Sequence, residues 1–168
     1  MRRRASAELL PPQGNWEIKC MDKAILLVED NPDDVKLTLR AFWKNNVMSP
    51  VAVARDGVEV LDFLFARGAF AERAGGPPTT LAMLGLKLPG LGGLAVVKEM
   101  RAHERTRVVP VVILTSSKEE QDVVSSYAFG ANSYLRKPVN LVEFVKAAKL
   151  LGLHWLVLNQ PPPEDPGR

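Results

Sequence analysis

Residues 24–34 read AILLVEDNPDD, and this stretch decides the fold class. Its first five residues are all apolar, which is typical of a strand buried on both faces of a sheet. Two acids follow at once, Glu29 and Asp30, and then Asn31 and Pro32 supply the cap and the first position of a helix. A buried strand that leads through an acidic turn into a helix predicts the first unit of an alternating α/β fold.

The same alternation repeats along the chain. Further apolar strands are predicted at 51–54, 80–84, 111–114 and 133–135, and helices at 32–46, 56–65, 92–105, 118–129 and 141–151. Asp56 is the predicted cap of the second helix, and a Gly/Pro-rich connection is predicted over residues 67–78. Apolar strands that alternate with helices indicate a parallel sheet covered on both faces. We therefore predict an α/β protein with a doubly wound, five-stranded parallel sheet and functional residues at the carboxyl ends of its strands. The pattern leaves the strand order open.

Three segments are predicted along the chain. Residues 1–22 form a flexible N-terminal extension, because prolines and a glycine interrupt any helix there. Residues 23–152 form the domain, and residues 153–168 form a tail that is first apolar and then proline-rich. Met21 stands just ahead of the first strand, so residues 1–20 are either an appendage or the product of a start codon assigned too early.

The composition argues against several classes of function. The chain has 168 residues, a formal net charge of +3 and one tight basic cluster, Arg2 to Arg4, which predicts no binding to nucleic acid. No apolar run approaches the roughly 20 residues that a membrane span needs. A single cysteine, Cys20, cannot form an intrachain disulfide. We expect a cytoplasmic protein that neither crosses a membrane nor carries a disulfide.

Polar side chains follow three of the predicted strands. Glu29 and Asp30 follow the first strand, Thr115 follows the fourth and Lys137 follows the fifth. Each of them alone is compatible with an ordinary loop or cap residue. Together they predict one pocket at the top of the sheet, where carboxylates suit a hard cation such as Mg²⁺ and the hydroxyl and lysine suit phosphoryl oxygens.

Four blocks of sequence resemble the receiver domains of bacterial response regulators in two-component signalling. They are LLVEDNPDD at 26–34, LKLPGLGG at 86–93, ILTSS at 113–117 and YLRKP at 134–138. The resemblance covers roughly residues 21–151 and implies the flavodoxin-like (CheY-like) receiver fold. The long connection before the third strand and the ending GLHWLVLNQPPP resemble the single-domain regulators that partner bacteriophytochrome histidine kinases.

The resemblance implies a role for several positions. Glu29 and Asp30 match the acidic pair, with Asp30 as the direct Mg²⁺ ligand and Glu29 acting through water, and the backbone carbonyl of Lys87 matches a further metal ligand.

Four further positions match the phosphoryl and switch residues of the family. Thr115 matches the switch hydroxyl, Tyr134 the aromatic residue whose rotamer reports the switch, and Lys137 the phosphate-binding lysine. Pro138 matches the proline that follows a cis bond.

The chain departs from the family at the phosphate-accepting aspartate, whose place is taken by Gly85. Neither Leu84 nor Leu86 offers a nucleophile, and a second glycine, Gly92, stands where the family commonly has aspartate. Natural degeneration and deliberate construction both remain open as the origin of the two glycines. We predict that the chain does not accept phosphate in the usual way and that Mg²⁺ binds weakly, because a carboxylate ligand is missing.

The predicted function is that of a single-domain response regulator in a phosphorelay, which acts by binding a sensor histidine kinase and a second copy of itself. Homodimerisation is predicted through residues 118–151 and the apolar segment 153–158. No enzyme is predicted, because the serines lack a recognisable histidine partner. A flavodoxin-like module that binds a small ligand or nucleotide, and a scaffold without signalling, are the alternatives.

Overall fold

The computed structural model describes residues 8–10, 24–44, 49–73, 79, 81–116 and 120–137. Within these ranges the strands are β1 (Glu8–Leu10), β2 (Ile25–Val28), β3 (Val51–Ala54), β4 (Leu81–Gly85), β5 (Val111–Thr115) and β6 (Ser133–Arg136). The helices are α1 (Pro32–Lys44), α2 (Gly57–Leu64), α3 (Gly93–Ala102) and α4 (Glu120–Ala128), with a 3₁₀ helix over Gly68–Arg73. The described residues contain no helix that is long and apolar enough to cross a membrane.

The strands form one sheet in the order β1-β3-β2-β4-β5-β6. The last five strands in this order are mutually parallel, which confirms the predicted doubly wound parallel sheet. The chain runs from β2 to β3 on one side and then returns past β2 to β4 on the other. This reversal opens a crevice at the carboxyl ends of β2 and β4, where parallel α/β sheets place their functional residues.

Strand β1 is an addition that the sequence did not predict. Glu8 lies opposite Val53 and Leu10 opposite Val51, so that β1 pairs antiparallel with the outer edge of β3. These residues belong to the segment 1–22, and they are the part of that segment that the structure describes. Three residues are too few to show the alternating periodicity that distinguishes a strand in a sequence.

The two faces of the sheet bury different side chains from the same strands. Leu26 and Val28 of β2 belong to a cluster with Phe63 of α2 and Val96 of α3. The alternate residues of β2, Ile25 and Leu27, belong to a second cluster with Leu39 and Phe42 of α1. Successive side chains of a strand point to opposite faces, so α1 covers one face while α2 and α3 cover the other.

Two predicted helix caps are confirmed. The Asp56 carboxylate accepts hydrogen bonds from the backbone N–H groups of Val58 at 2.9 Å and Glu59 at 2.8 Å. The Asn31 side chain accepts from the N–H of Asp33 at 2.9 Å. These contacts satisfy donors that a helix leaves unpaired at its N-terminus, and they set the first residues of α2 and α1.

The connection before β4 contains local structure. The sequence predicts a Gly/Pro-rich connection over residues 67–78, and its first part, Gly68–Arg73, forms the 3₁₀ helix. The ring of Phe70 packs edge-on against Phe63 with centroids 5.4 Å apart, and this contact ties the 3₁₀ helix to α2. The predicted helix at 141–151 and the tail at 153–168 lie outside the described residues.

Arg101 joins two loops at the amino ends of β5 and β6, the end of the sheet opposite the crevice. Its guanidinium donates to the carbonyls of Val109 at 2.9 Å and Gly130 at 2.7 Å, and to the side chain of Asn132 at 2.9 Å. Burial lowers the pKa of Arg101 from its ordinary value. The planar donor fork of arginine suits this bridging role, since it can satisfy several carbonyls at once.

Gly93, the first residue of α3, lies directly against the end of β4. A Cβ atom at Gly93 would lie 2.2 Å from the carbonyl oxygen of Gly85, a distance that no side chain tolerates. The neighbouring Gly92 has an extended backbone with φ −64°, and a Cβ there would meet only the carbonyl oxygen of Leu86 at 3.9 Å. The backbone of Gly85 therefore excludes a side chain at Gly93, whereas Gly92 has room for one.

We expect Gly93→Ala to destabilise the protein by about 1–3 kcal/mol, because the added methyl group forces α3 away from β4. Gly92→Ser is the matched control, and we expect a gain of about 0.5 kcal/mol from a new helix cap. Chemical denaturation of the two variants checks both values. Equal losses from both substitutions would contradict the close approach at Gly93.

Candidate functional site

The crevice brings together most of the residues predicted for the site. Glu29 follows β2 and is buried, and Thr115 ends β5 and is also buried. Lys137 directly follows β6, and its backbone N–H donates to the carbonyl of Thr115 at 2.7 Å, which extends the pairing of β6 with β5 by one residue. Asp30 and Lys87 are exposed at the same end of the sheet.

Tyr134 lies in β6 and is half-buried, with its ring packed against the core cluster that contains Val96. Its hydroxyl oxygen is buried. Pro138 and the predicted cis bond before it lie outside the described residues.

The backbone around Glu29 fixes the direction of its carboxylate. The N–H of Glu29 donates to the carbonyl of Ala54 at 3.0 Å, so Glu29 continues the parallel pairing of β2 with β3. One carboxylate oxygen, Oε1, accepts a hydrogen bond from the N–H of Asn31 at 3.2 Å. The other oxygen, Oε2, is thereby directed into the crevice.

The Nζ atom of Lys137 donates to two carboxylates. One acceptor is Oε2 of Glu29, and the other is Oδ2 of Asp34 at 2.6 Å. The exposed fractions of the side chains are 5% for Glu29, 21% for Lys137 and 35% for Asp34, so the ion pairs lie at the mouth of the crevice with Glu29 as the innermost group. We call these three side chains the Lys137 triad.

Asp34 is a site residue that the sequence analysis missed. Its position in the first turn of α1 indicates an acid that favours the N-terminal dipole of the helix, and the sequence predicts no further role for it. The available signal was its place in the first turn of α1, directly after the strand end that carries Glu29 and Asp30. That place alone does not reveal that the Asp34 side chain reaches the end of β6.

Burial and ion pairing act on the same groups in this pocket. Burial acts to lower the pKa of Lys137, but the hydrogen bonds and charges of Asp34 and Glu29 outweigh burial and raise it. Burial also raises the pKa of Glu29, against the opposing effect of Lys137. Because the pKa of Lys137 is raised, the stability that its ammonium contributes is present below its ordinary pKa and is lost only as pH rises through the raised value.

Gly85 lies at the end of β4, beside Glu29. A Cβ atom at Gly85 would lie 3.0 Å from Cδ2 of Leu88, 3.2 Å from the carbonyl oxygen of Val28 and 3.8 Å from Oε2 of Glu29. The side chain of Leu88 is buried against the space that a larger residue would use. A side chain at position 85 therefore fits only after shifts of a few tenths of an ångström in its neighbours.

The residues of the crevice do not fit the divalent metal that the family resemblance implies. Glu29 and Asp34 are both engaged by Lys137, and position 85 supplies no carboxylate. Among the residues that the structure describes, no group of three or more His, Cys, Asp or Glu side chains could hold a metal ion. Mg²⁺ requires near-octahedral oxygen ligands, and the oxygens of Glu29 and Asp34 that face the crevice already accept from an ammonium, which leaves the exposed carboxylate of Asp30.

Comparison with known proteins identifies the family. The sequence profile of the response regulator receiver domain matches residues 25–149. The chain belongs to this family. Response regulator Rcp1 of Synechocystis sp. is 34% identical over 134 residues, which are 80% of this chain and 89% of that protein.

Solved structures of receiver domains support the same assignment. The bacteriophytochrome response regulator AtBRR is 47% identical, with a TM-score of 0.66 over 82% of this chain and 98% of that one. The Mn²⁺-bound form of Rcp1 is 32% identical, with a TM-score of 0.76 over 84% of this chain and 99% of that one. The receiver chain described above therefore has phytochrome response regulators among its relatives.

We expect Asp34→Asn to lower the free energy of unfolding by about 1 kcal/mol, because it breaks a partly solvent-screened ion pair with Lys137. Asp33→Asn is the matched control, since it removes the same charge from the same turn. Asp33 is 87% exposed and pairs at 3.5 Å with the exposed Lys36, so its loss should cost less than about 0.5 kcal/mol. Urea denaturation measures both, and equal losses would contradict a structural role for the Lys137 triad.

Proposed function

We propose that this chain is a single-domain response regulator of a two-component system that acts by binding other proteins rather than by catalysis. The observation that carries the proposal is a pocket that gathers Glu29, Thr115 and Lys137 but holds a glycine at position 85. Glu29, Thr115 and Lys137 surround the end of β4, where the family resemblance locates phosphate acceptance. Glycine has no side-chain nucleophile, so the acyl phosphate that normally switches a receiver cannot form at this position.

Several finer assignments belong to the same proposal. Asp30 and the carbonyl of Lys87 are at most weak Mg²⁺ ligands, because the buried carboxylate of Glu29 is already neutralised by Lys137. Thr115 and Tyr134 keep the switch roles that the resemblance implies, with Tyr134 held in the orientation that buries its hydroxyl. A cytoplasmic location is part of this proposal.

The proposed partner is a sensor histidine kinase of the bacteriophytochrome class. The support is the similarity to AtBRR, whose name describes a bacteriophytochrome response regulator. A receiver that docks on the kinase without accepting phosphate would compete with functional regulators for the same phosphohistidine. Such competition requires only an intact docking surface and does not require the transfer of phosphate to this chain.

The absence of phosphate acceptance can be tested with a small phosphodonor such as acetyl phosphate. We expect the parent protein to remain unlabelled and Gly85→Asp to gain an acid-stable, base-labile acyl phosphate, because only the variant has a carboxylate at the end of β4. Mass spectrometry of the intact protein measures the added phosphoryl group.

Gly85→Asn is the matched control for this experiment. It adds nearly the same volume beside Leu88 and Val28, and thus the same packing cost, but its amide does not accept phosphate. Labelling of the parent protein, or equal labelling of the asparagine and aspartate variants, would place the phosphate on another residue and overturn the proposal.

We further propose that the chain forms a homodimer through the surface predicted at residues 118–151, of which the structure describes residues 120–137. The support is an apolar stripe on α4. Val124 is 63% exposed and Tyr127 is 50% exposed, and their spacing of three residues puts both on one side of the helix. Aromatic and aliphatic residues together at an exposed surface are typical of a protein interface.

We expect Val124→Lys to weaken the homodimer by about 1 kcal/mol or more, because a charge would replace a buried apolar contact at the interface. Val58→Lys is the matched control, since Val58 is 58% exposed and lies on α2, away from the proposed surface. Light scattering over a concentration series measures the dissociation constant of each variant. A monomeric parent protein at high concentration, or equal effects of both substitutions, would contradict this interface.

A further inference from the structure

We propose that the ammonium group of Lys137 is the resident cation of the pocket and takes the place that a divalent metal has in other receivers. This inference rests on the proposed function, since it concerns a receiver without an acceptor carboxylate. It goes beyond that function because it assigns to one side chain, Lys137, the compensation of the carboxylate charges in the pocket. The supporting observation is the Lys137 triad.

The geometry of the triad directs two carboxylate oxygens at a single positive group. Oε2 of Glu29 and Oδ2 of Asp34 both accept hydrogen bonds from Nζ of Lys137. Two oxygens within hydrogen-bonding reach of one atom lie within roughly 6 Å of each other. Carboxylates this close repel one another and are stable together only when a cation lies between them. Here the cation is supplied by the chain.

Gly85 explains why Lys137 is available for this role. A carboxylate at position 85 would offer the lysine a third acidic partner beside Glu29, since a Cβ there would already lie 3.8 Å from Oε2 of Glu29. In its absence the space beside Glu29 is bordered by the apolar Leu88, and the second partner of Lys137 comes from α1. The lysine thus links the residue after β6 to both β2 and α1.

A divalent cation cannot join this arrangement without displacing the lysine. It would have to approach within a few ångströms of an ammonium in a partly buried pocket, where like charges repel strongly. The remaining acid of the pair, Asp30, is exposed and offers one carboxylate only. The pocket therefore stays in one arrangement whether or not Mg²⁺ is present, and the end of β6 remains tied to α1.

Mg²⁺ titration followed by thermal unfolding tests this inference, with four proteins compared at constant ionic strength. The parent protein should show no saturable rise in Tm with Mg²⁺. Lys137→Gln should acquire one, with an apparent dissociation constant at least about tenfold below the highest Mg²⁺ concentration used, because two converging carboxylates lose their cation. Arg136→Gln, which removes the same charge from an exposed neighbour, should behave like the parent.

Gly85→Asp keeps the result interpretable if Lys137→Gln fails to fold. It keeps the lysine but adds a third carboxylate, whose negative charge attracts Mg²⁺ and offsets the repulsion by the ammonium, so Mg²⁺ should raise its Tm and demonstrate that the assay detects binding. Saturable stabilisation of the parent protein by Mg²⁺, with an affinity equal to that of Gly85→Asp, would overturn the inference. Equal Mg²⁺ responses of Lys137→Gln and Arg136→Gln would overturn it as well.

Different results would overturn the proposed function and the role of Lys137 as resident cation. A parent protein that binds Mg²⁺ but takes no phosphate from a phosphodonor would leave the proposed function intact and remove the role of Lys137 as resident cation. A parent protein that is phosphorylated would remove the proposed function, whatever its response to Mg²⁺.

Discussion

The parallel sheet is buried on both faces, and this burial constrains where the polar chemistry of the protein can lie. Alternate residues of β2 enter two different core clusters, so neither face has room for an ionisable side chain that lacks a partner. In the strands that the structure describes, charged residues stand only at strand ends, and the reversal of strand order between β2 and β4 opens a crevice at only one of these ends. The packing of the core therefore determines where the polar site can lie.

Within the crevice, one lysine accounts for most of the charge balance. Removing one partner of a buried ion pair leaves an uncompensated charge. This loss destabilises a protein by much more than the intact pair stabilises it. Glu29 is nearly inaccessible to water and therefore depends on Lys137, whereas Asp34 is more exposed and depends on it less. This difference assigns Glu29 the structural role and makes Asp34 the group that can be changed without collapse of the pocket.

The receiver family uses this crevice for a switch that depends on phosphate and metal. In this chain a glycine stands at the end of β4, and the lysine is engaged by acids from two elements. Both features favour a receiver whose pocket stays in one arrangement and which therefore presents the same surface to its partners at all times. Under the proposed function, such a protein would influence signalling by occupying a docking site, and its effect would depend on its concentration rather than on its own modification.

The sequence by itself determined the alternation of strands and helices, the caps at Asn31 and Asp56, and the convergence of Glu29, Thr115 and Lys137 at one end of the sheet. These features depend on local patterns of burial and on residues near each element end, which a sequence displays directly. The missing nucleophile at Gly85 also follows from the sequence, through the resemblance of its flanking motif to the receiver family.

Only the tertiary structure decided the strand order, the pairing of β1 with β3 and the partnership of Lys137 with Asp34. Strand order and edge pairing depend on contacts between segments that are distant along the chain, and three residues such as Glu8–Leu10 carry no periodic signal. Asp34 and Lys137 are separated by 103 positions. Their contact exists because the packing of α1 on the sheet and the position of β6 beside β5 bring two unrelated segments to the same crevice.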